Sequence, residues 1–195
     1  MDENRQTFLD ELYAHGRAHD ERYEDRLKRL RNVEPETAEL LGVLVRAMGA
    51  ERMLEIGTSN GYSTIWLADA AEAVGGTVLS LEIEAGRTAQ AVDNVAEAGV
   101  ADFVELRTQD AAEALAAFGD GAFDLVFLDA ERREYASYWP DLVRVLRPRG
   151  LLVVDNTLSH AKELVEFSEL VYSDESVTST LVTVGSGVLL VVKSP

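Results

Sequence analysis

The chain has 195 residues, 47% of them hydrophobic, which suffices for one domain with a sizeable core. Its 35 Asp and Glu outnumber 18 Lys and Arg and give a formal charge of −17, which argues against nucleic acid or a membrane surface as partner, since both would repel it. Cysteine is absent, which excludes disulfides, thiolate metal sites and a cysteine nucleophile. The N-terminal stretch is highly charged and lacks the apolar core of a signal peptide. No apolar run approaches the roughly 18 residues of a membrane span, so a soluble cytoplasmic protein is expected.

In chain order, residues 3–31 are charged and helix-favouring, with Phe8, Leu9, Leu12, Leu27 and Leu30 as apolar anchors. Pro35 opens a second helix that Gly49 closes. Apolar runs then alternate with helical stretches. The runs are RMLEI, TVLSLE, FVELRT, FDLVFLD and LLVVDN; the helices are expected near 61–74, 85–98, 110–117, 132–146 and 160–172. Buried runs separated by helices indicate a parallel, doubly wound α/β sheet. The ending differs: two β-rich runs flank Gly185-Ser186-Gly187 with no helix between them, which predicts an antiparallel hairpin at the sheet's far end. Seven strands result. The chain reads as a single domain over 1–195, with N-terminal helices in 1–49 and the α/β core in 50–195.

Sheets of this kind bind ligands beyond the carboxyl ends of their strands. After the first strand comes Glu55-Ile56-Gly57-Thr58-Ser59-Asn60-Gly61-Tyr62-Ser63, where glycines permit a sharp turn and close approach of a ligand. Ser59 and Tyr62 depart from the G-x-G-x-x-G dinucleotide fingerprint, which disfavours a nucleotide-dependent dehydrogenase, and no Gly-Lys-Ser/Thr phosphate loop is present. The second strand ends in Glu82, placed to accept hydrogen bonds from both hydroxyls of a ribose. A ribonucleoside with a charged amino-acid tail fits this pair better than a dinucleotide, and the ligand read from it is S-adenosylmethionine (SAM).

The segments LEIGTSNGYSTIWLA, FDLVFLDAERREYASY and LRPRGLLVVDN resemble the cation-dependent small-molecule O-methyltransferases, which include catechol and caffeoyl-coenzyme A O-methyltransferases. The resemblance runs from about residue 33 to the end. It implies that Glu55, Gly57, Thr58 and Ser63 line the methionine part and the ribose side of the cofactor, that Glu82 binds the ribose, and that Asp110 and Ala111 border the adenine. It also implies that Asp129, Asp155 and Asn156 hold a divalent cation, with Glu131 and Asp129 touching the cofactor. Mg²⁺ suits such a set, because it prefers hard oxygen ligands and keeps several waters. Bound there, it lowers the pKa of a catechol-like hydroxyl and orients it. The bland alternative is that Asp129 and Asp155 are ordinary strand-end acids or helix caps.

The chain departs from the family twice. Relatives generally carry lysine three residues after the first metal-ligand aspartate; here it is Arg132, which holds an anion but does not act as a base at ordinary pH. Beyond Asn156, where relatives often place Trp and a polar residue, stand Ser159 and His160, and His160 can serve as base. The expected activity is methyl transfer from SAM to a hydroxyl of a small, catechol-like aromatic acceptor. The alternative is a SAM-binding protein of the same fold with weak or no catalysis. The resemblance further implies a homodimer packed through the N-terminal helices.

Overall fold

The computed structural model describes residues 1–195. Helix α1 (Glu3–Asp20) is capped by Asp2, whose side chain accepts the Arg5 N–H, and it buries Leu9 and Leu12. The sequence predicts helix as far as residue 31, but α1 stops at Asp20. The Asp20 carboxylate accepts the backbone N–H groups of Leu30 (2.6 Å) and Arg31 (2.9 Å), and residues 21–34 become a strap with one short turn at Arg26–Lys28. No glycine or proline marks this break; an acidic side chain reaching ten residues onward makes it. Helix α2 (Pro35–Met48) begins on Pro35 and ends on Gly49 in the left-handed region.

The core follows as β1 (Arg52–Ile56), α3 (Tyr62–Val74), β2 (Thr77–Glu82), α4 (Ala85–Glu97), β3 (Val104–Thr108), α5 (Ala111–Ala117), β4 (Phe123–Leu128), α6 (Tyr135–Val145), β5 (Leu146–Val154), α7 (Val165–Ser173), β6 (Val177–Val182) and β7 (Val188–Lys193). Three element starts differ from the sequence reading. Strand β5 starts at Leu146, ahead of the LLVVDN run, and α6 and α7 follow short 3-10 turns at Arg132–Glu134 and Ala161–Glu163.

The seven strands lie in the order β3-β2-β1-β4-β5-β7-β6, and only β7 runs antiparallel to its neighbours β5 and β6. Side chains alternate across the pleat. Met53, Leu125, Phe127, Leu151 and Val153 face a core shared with α1, α2, α3 and α4, which includes Leu9, Leu41 and Ile65. Leu54, Ile56, Val126, Leu128, Leu152 and Val154 face the opposite core with α5, α6 and α7, around Tyr138, Leu142 and Phe167. The N-terminal helices therefore share the sheet's own core. Chain order reverses between β1 and β4, so their carboxyl ends open a crevice. No helix is long and apolar enough to cross a membrane.

Candidate active site

A cavity of about 730 Å³ lies over that crevice. Its floor is the turn after β1. Gly57 has φ +107°, and a Cβ there would lie 2.1 Å from the Asp129 carbonyl oxygen, so only glycine lets the β1 and β4 turns approach this closely. The two turns are tied into the sheet, since Gly57 N–H donates to Leu81 O and Asp129 N–H donates to Ile56 O, each at 3.0 Å. Gly61, at φ +86°, starts α3 against Ala91 of α4.

Glu82 ends β2 with its carboxylate held by three backbone donors: Ser59 N–H (2.9 Å) on one oxygen, Ile83 N–H (2.9 Å) and Glu84 N–H (3.0 Å) on the other. Thr58, Ser63, Asp110 and Ala111 also line the cavity. Asp110 caps α5 as well, accepting the Glu113 N–H at 3.1 Å.

Glu55 requires a correction. It does not line the cavity; it is fully buried beneath it, on the α3 side of the sheet. Ser63 (2.6 Å), Thr64 (2.5 Å) and Ser80 (2.5 Å) donate hydroxyl hydrogen bonds to its carboxylate. Burial raises its pKa to about 7, although the three hydroxyls pull it down. Its work is to pin α3 to the first two strands, and through Ser63 it braces the cavity from below.

Across the crevice, Asp129 and Asp155 follow β4 and β5. The Asn156 amide nitrogen donates to both, at 3.1 and 2.9 Å. Asn156 is itself in the left-handed region, φ +63°, a conformation asparagine tolerates well. Burial raises the pKa of both aspartates. Repulsion by Asp129 adds to this in Asp155, while the nearby Arg31 and Arg132 guanidiniums partly offset it in Asp129. The Asp155 Oδ1 atom is buried without any hydrogen-bond partner. No cluster of three His, Asp or Glu side chains placed to hold a metal occurs. The donor set is instead two carboxylates and an amide, and an orphaned carboxylate oxygen beside a repelled neighbour fits a hard divalent cation.

The turn after β4 is fixed by Tyr135, the first tyrosine of the FDLVFLDAERREYASY segment. Its buried hydroxyl accepts the Ala130 N–H (2.8 Å) and donates to the Ala130 carbonyl (3.2 Å). Asp129 is thereby held on the crevice side. Glu131 lines the cavity, but its carboxylate pairs with Arg31 (3.0 Å) and Arg26 (3.4 Å) of the strap. Arg132 is 5% exposed and donates its Nε–H to Glu163 at 2.9 Å. His160 lines the cavity with Nδ1 at 2.8 Å from the Ser159 hydroxyl. Burial and the Arg132 guanidinium hold it below the ordinary histidine pKa.

The sequence reading missed the cavity's outer wall. Arg26, Leu30, Arg31 and Glu34 of the strap line it, and the first three fall in the 3–31 stretch whose sequence favours helix. The Ser59 hydroxyl donates to Leu30 O (2.7 Å), and Arg87 of α4 donates to the carbonyls of Leu27 (2.5 Å) and Arg29 (3.2 Å). The closely spaced arginines at 26, 29 and 31 were the available signal.

The profile of an O-methyltransferase family matches residues 18–194. The chain belongs to this O-methyltransferase family. It is 36% identical over 140 residues to the catechol O-methyltransferase of Niastella koreensis, an alignment that covers 70% of the chain and 63% of that relative. With the catechol O-methyltransferase of Mycobacterium tuberculosis the identity is 38% over 134 residues, covering 69% and 60%. The chain thus spans less than two thirds of the length of these curated relatives. Among solved structures, this O-methyltransferase family member superposes on the Bacillus cereus O-methyltransferase in complex with SAH with a TM-score of 0.79 and 28% identity, covering 100% of the chain and 92% of that structure. The O-methyltransferase TomG of Streptomyces achromogenes, involved in tomaymycin synthesis and solved with SAM, gives 0.79 and 29%, covering 100% and 91%.

Proposed function

We propose that this chain transfers a methyl group from SAM to a hydroxyl of a small, catechol-like aromatic acceptor, with a divalent cation, Mg²⁺ first, held by Asp129, Asp155 and Asn156. The observation that carries the reading is the meeting, in one cavity, of the Glu82 carboxylate with the buried Asp129–Asp155 pair and its unpartnered oxygen. Solved relatives in complex with SAH and SAM support the cofactor.

In this reading the three backbone donors fix the Glu82 carboxylate, and the ribose hydroxyls share the acceptor site left on the oxygen that takes the Ser59 N–H. Gly57, Thr58 and Ser63 give the methionine side a close backbone surface, and Asp110 and Ala111 border the adenine. Asp129 and Glu131 stand between the two ligands. The cation, when bound, supplies Lewis acidity that ionises and orients the acceptor hydroxyl. His160 is the residue assigned to receive the acceptor's proton, through the ring nitrogen that Ser159 leaves free. Arg132 cannot take that role, because its guanidinium stays protonated.

The second reading, a SAM-binding protein with weak or no catalysis, draws on Arg132 standing where relatives carry lysine. The two part in one experiment. Calorimetry with SAM, with and without Mg²⁺, is followed by a methyl-transfer screen on catechols with and without EDTA. Mg²⁺-dependent transfer supports the enzyme, SAM binding without transfer supports the second reading, and transfer that survives EDTA removes the metal assignment. In the same reading the chain forms a homodimer through its N-terminal helices, where Val43 of α2 is 62% exposed; light scattering tests it.

A further inference from the structure

Charge is distributed unevenly in this acidic molecule. Three arginines and two glutamates form one alternating chain along the acceptor side of the cavity. Arg31 pairs with Glu131 (3.0 Å), Glu131 with Arg26 (3.4 Å), Arg26 with Glu163 (3.5 Å) and Glu163 with Arg132 (2.9 Å). The string joins the strap, the turn after β4 and the turn before α7, and its guanidiniums outnumber its carboxylates.

Its two ends have unused donors. Arg31 commits only one terminal nitrogen, to Glu131; its Nε–H is buried without a partner and its other terminal nitrogen makes no hydrogen bond. Arg132, almost fully buried and part of the cavity lining, commits only Nε, and its two terminal nitrogens bond nothing in the chain. Arg31 is also held at φ +56°, a costly conformation for a long side chain, by the Asp20 carboxylate on its N–H. Both guanidiniums lie near Asp129 on the cavity lining, and their uncommitted N–H groups suit a planar anion.

We infer that the acceptor carries a carboxylate, bound between Arg31 and Arg132, so that these two residues select an aromatic dihydroxy acid over its neutral counterpart. The inference rests on the methyltransferase reading above. It adds the acceptor's charge and the residues that read it. A planar carboxylate matches the forked N–H pairs of two guanidiniums.

The test compares 3,4-dihydroxybenzoate with its methyl ester, which presents the same hydroxyls without the charge. Both are measured by calorimetry on the SAH-saturated protein with Mg²⁺ and by kcat/KM with SAM. The acid is expected to be favoured by about tenfold or more in each measurement. Arg31→Gln brings the acid-to-ester ratio close to one, and Arg31→Lys restores part of it. An ester that binds and reacts as well as the acid overturns the inference and leaves the methyltransferase reading standing. If neither compound is methylated although SAM binds, that reading fails, and the calorimetric acid-to-ester ratio still decides for or against the carboxylate receptor. Displacement of the acid by inorganic phosphate more readily than by benzoate overturns the choice of carboxylate.

Discussion

The cavity's two halves are built on different plans. The half around Gly57 and Glu82 is made of backbone: glycine turns, main-chain donors on one carboxylate, and ties into adjacent strands. The half around Asp129, Asp155 and the strap is made of side chains, with two repelling acids, a bridging amide and a string of ion pairs. Backbone scaffolding is rigid and tolerates almost no added atom, whereas a side-chain wall can be rewritten residue by residue. The first plan suits a ligand that stays the same, the second a ligand that varies.

The comparison can be broken most severely at Gly57. Gly57→Val places its Cβ against the Asp129 carbonyl at a positive φ, so it should cost on the order of 4 kcal/mol of stability and remove measurable SAM binding. Urea denaturation and calorimetry check this; a stable variant with parental SAM affinity refutes the scaffold argument.

Glu82→Ala should weaken SAM binding by roughly 2–4 kcal/mol, or about 30- to 1,000-fold in Kd, while stability changes less, because the three released N–H groups lie at the cavity edge.

The pH dependence of stability tests the brace below the floor. The Glu55 carboxyl has its pKa raised to about 7 in the folded chain, against an ordinary value of 4.5. The folded state therefore holds a proton that the unfolded state releases between these values, and stability falls as pH rises from about 4.5 to 7. A shift of this size corresponds to an upper bound of about 3 kcal/mol over that window. Glu55→Gln should flatten that part of the profile, measured by denaturation at several pH values. An unchanged slope would show that Glu55 ionises freely in the fold.

On the side-chain half, Asp155→Asn should abolish Mg²⁺-dependent turnover yet leave SAM binding nearly unchanged. Without metal it should raise stability at neutral pH by about 1 kcal/mol, since burial and Asp129 push the Asp155 carboxyl up to about 8, and Asn removes the proton uptake that folding then requires. His160→Ala should lower turnover by about 10²-fold with SAM affinity intact. Unaltered turnover excludes His160 as the proton's destination.

What could be read from the sequence follows the same division. The positions of Gly57, Glu82, Asp129 and Asp155 at strand ends follow from local periodicity, because a strand, its turn and the next helix are contiguous in the chain. The strap was not legible, because the bonds that shape it join Asp20 to Arg31, Ser59 to Leu30 and Arg87 to Leu27, across separations no local pattern encodes. Glu55 was misread for a related reason. It stands at a strand end, but the alternation that puts Met53 on the α3 face puts Glu55 there too, beneath the floor.

The strap is fastened to the floor through Ser59, to α4 through Arg87 and to the acceptor wall through Glu131. The same strap thus borders both halves of the cavity, so a substitution that loosens any one fastening is felt by the ligands of both.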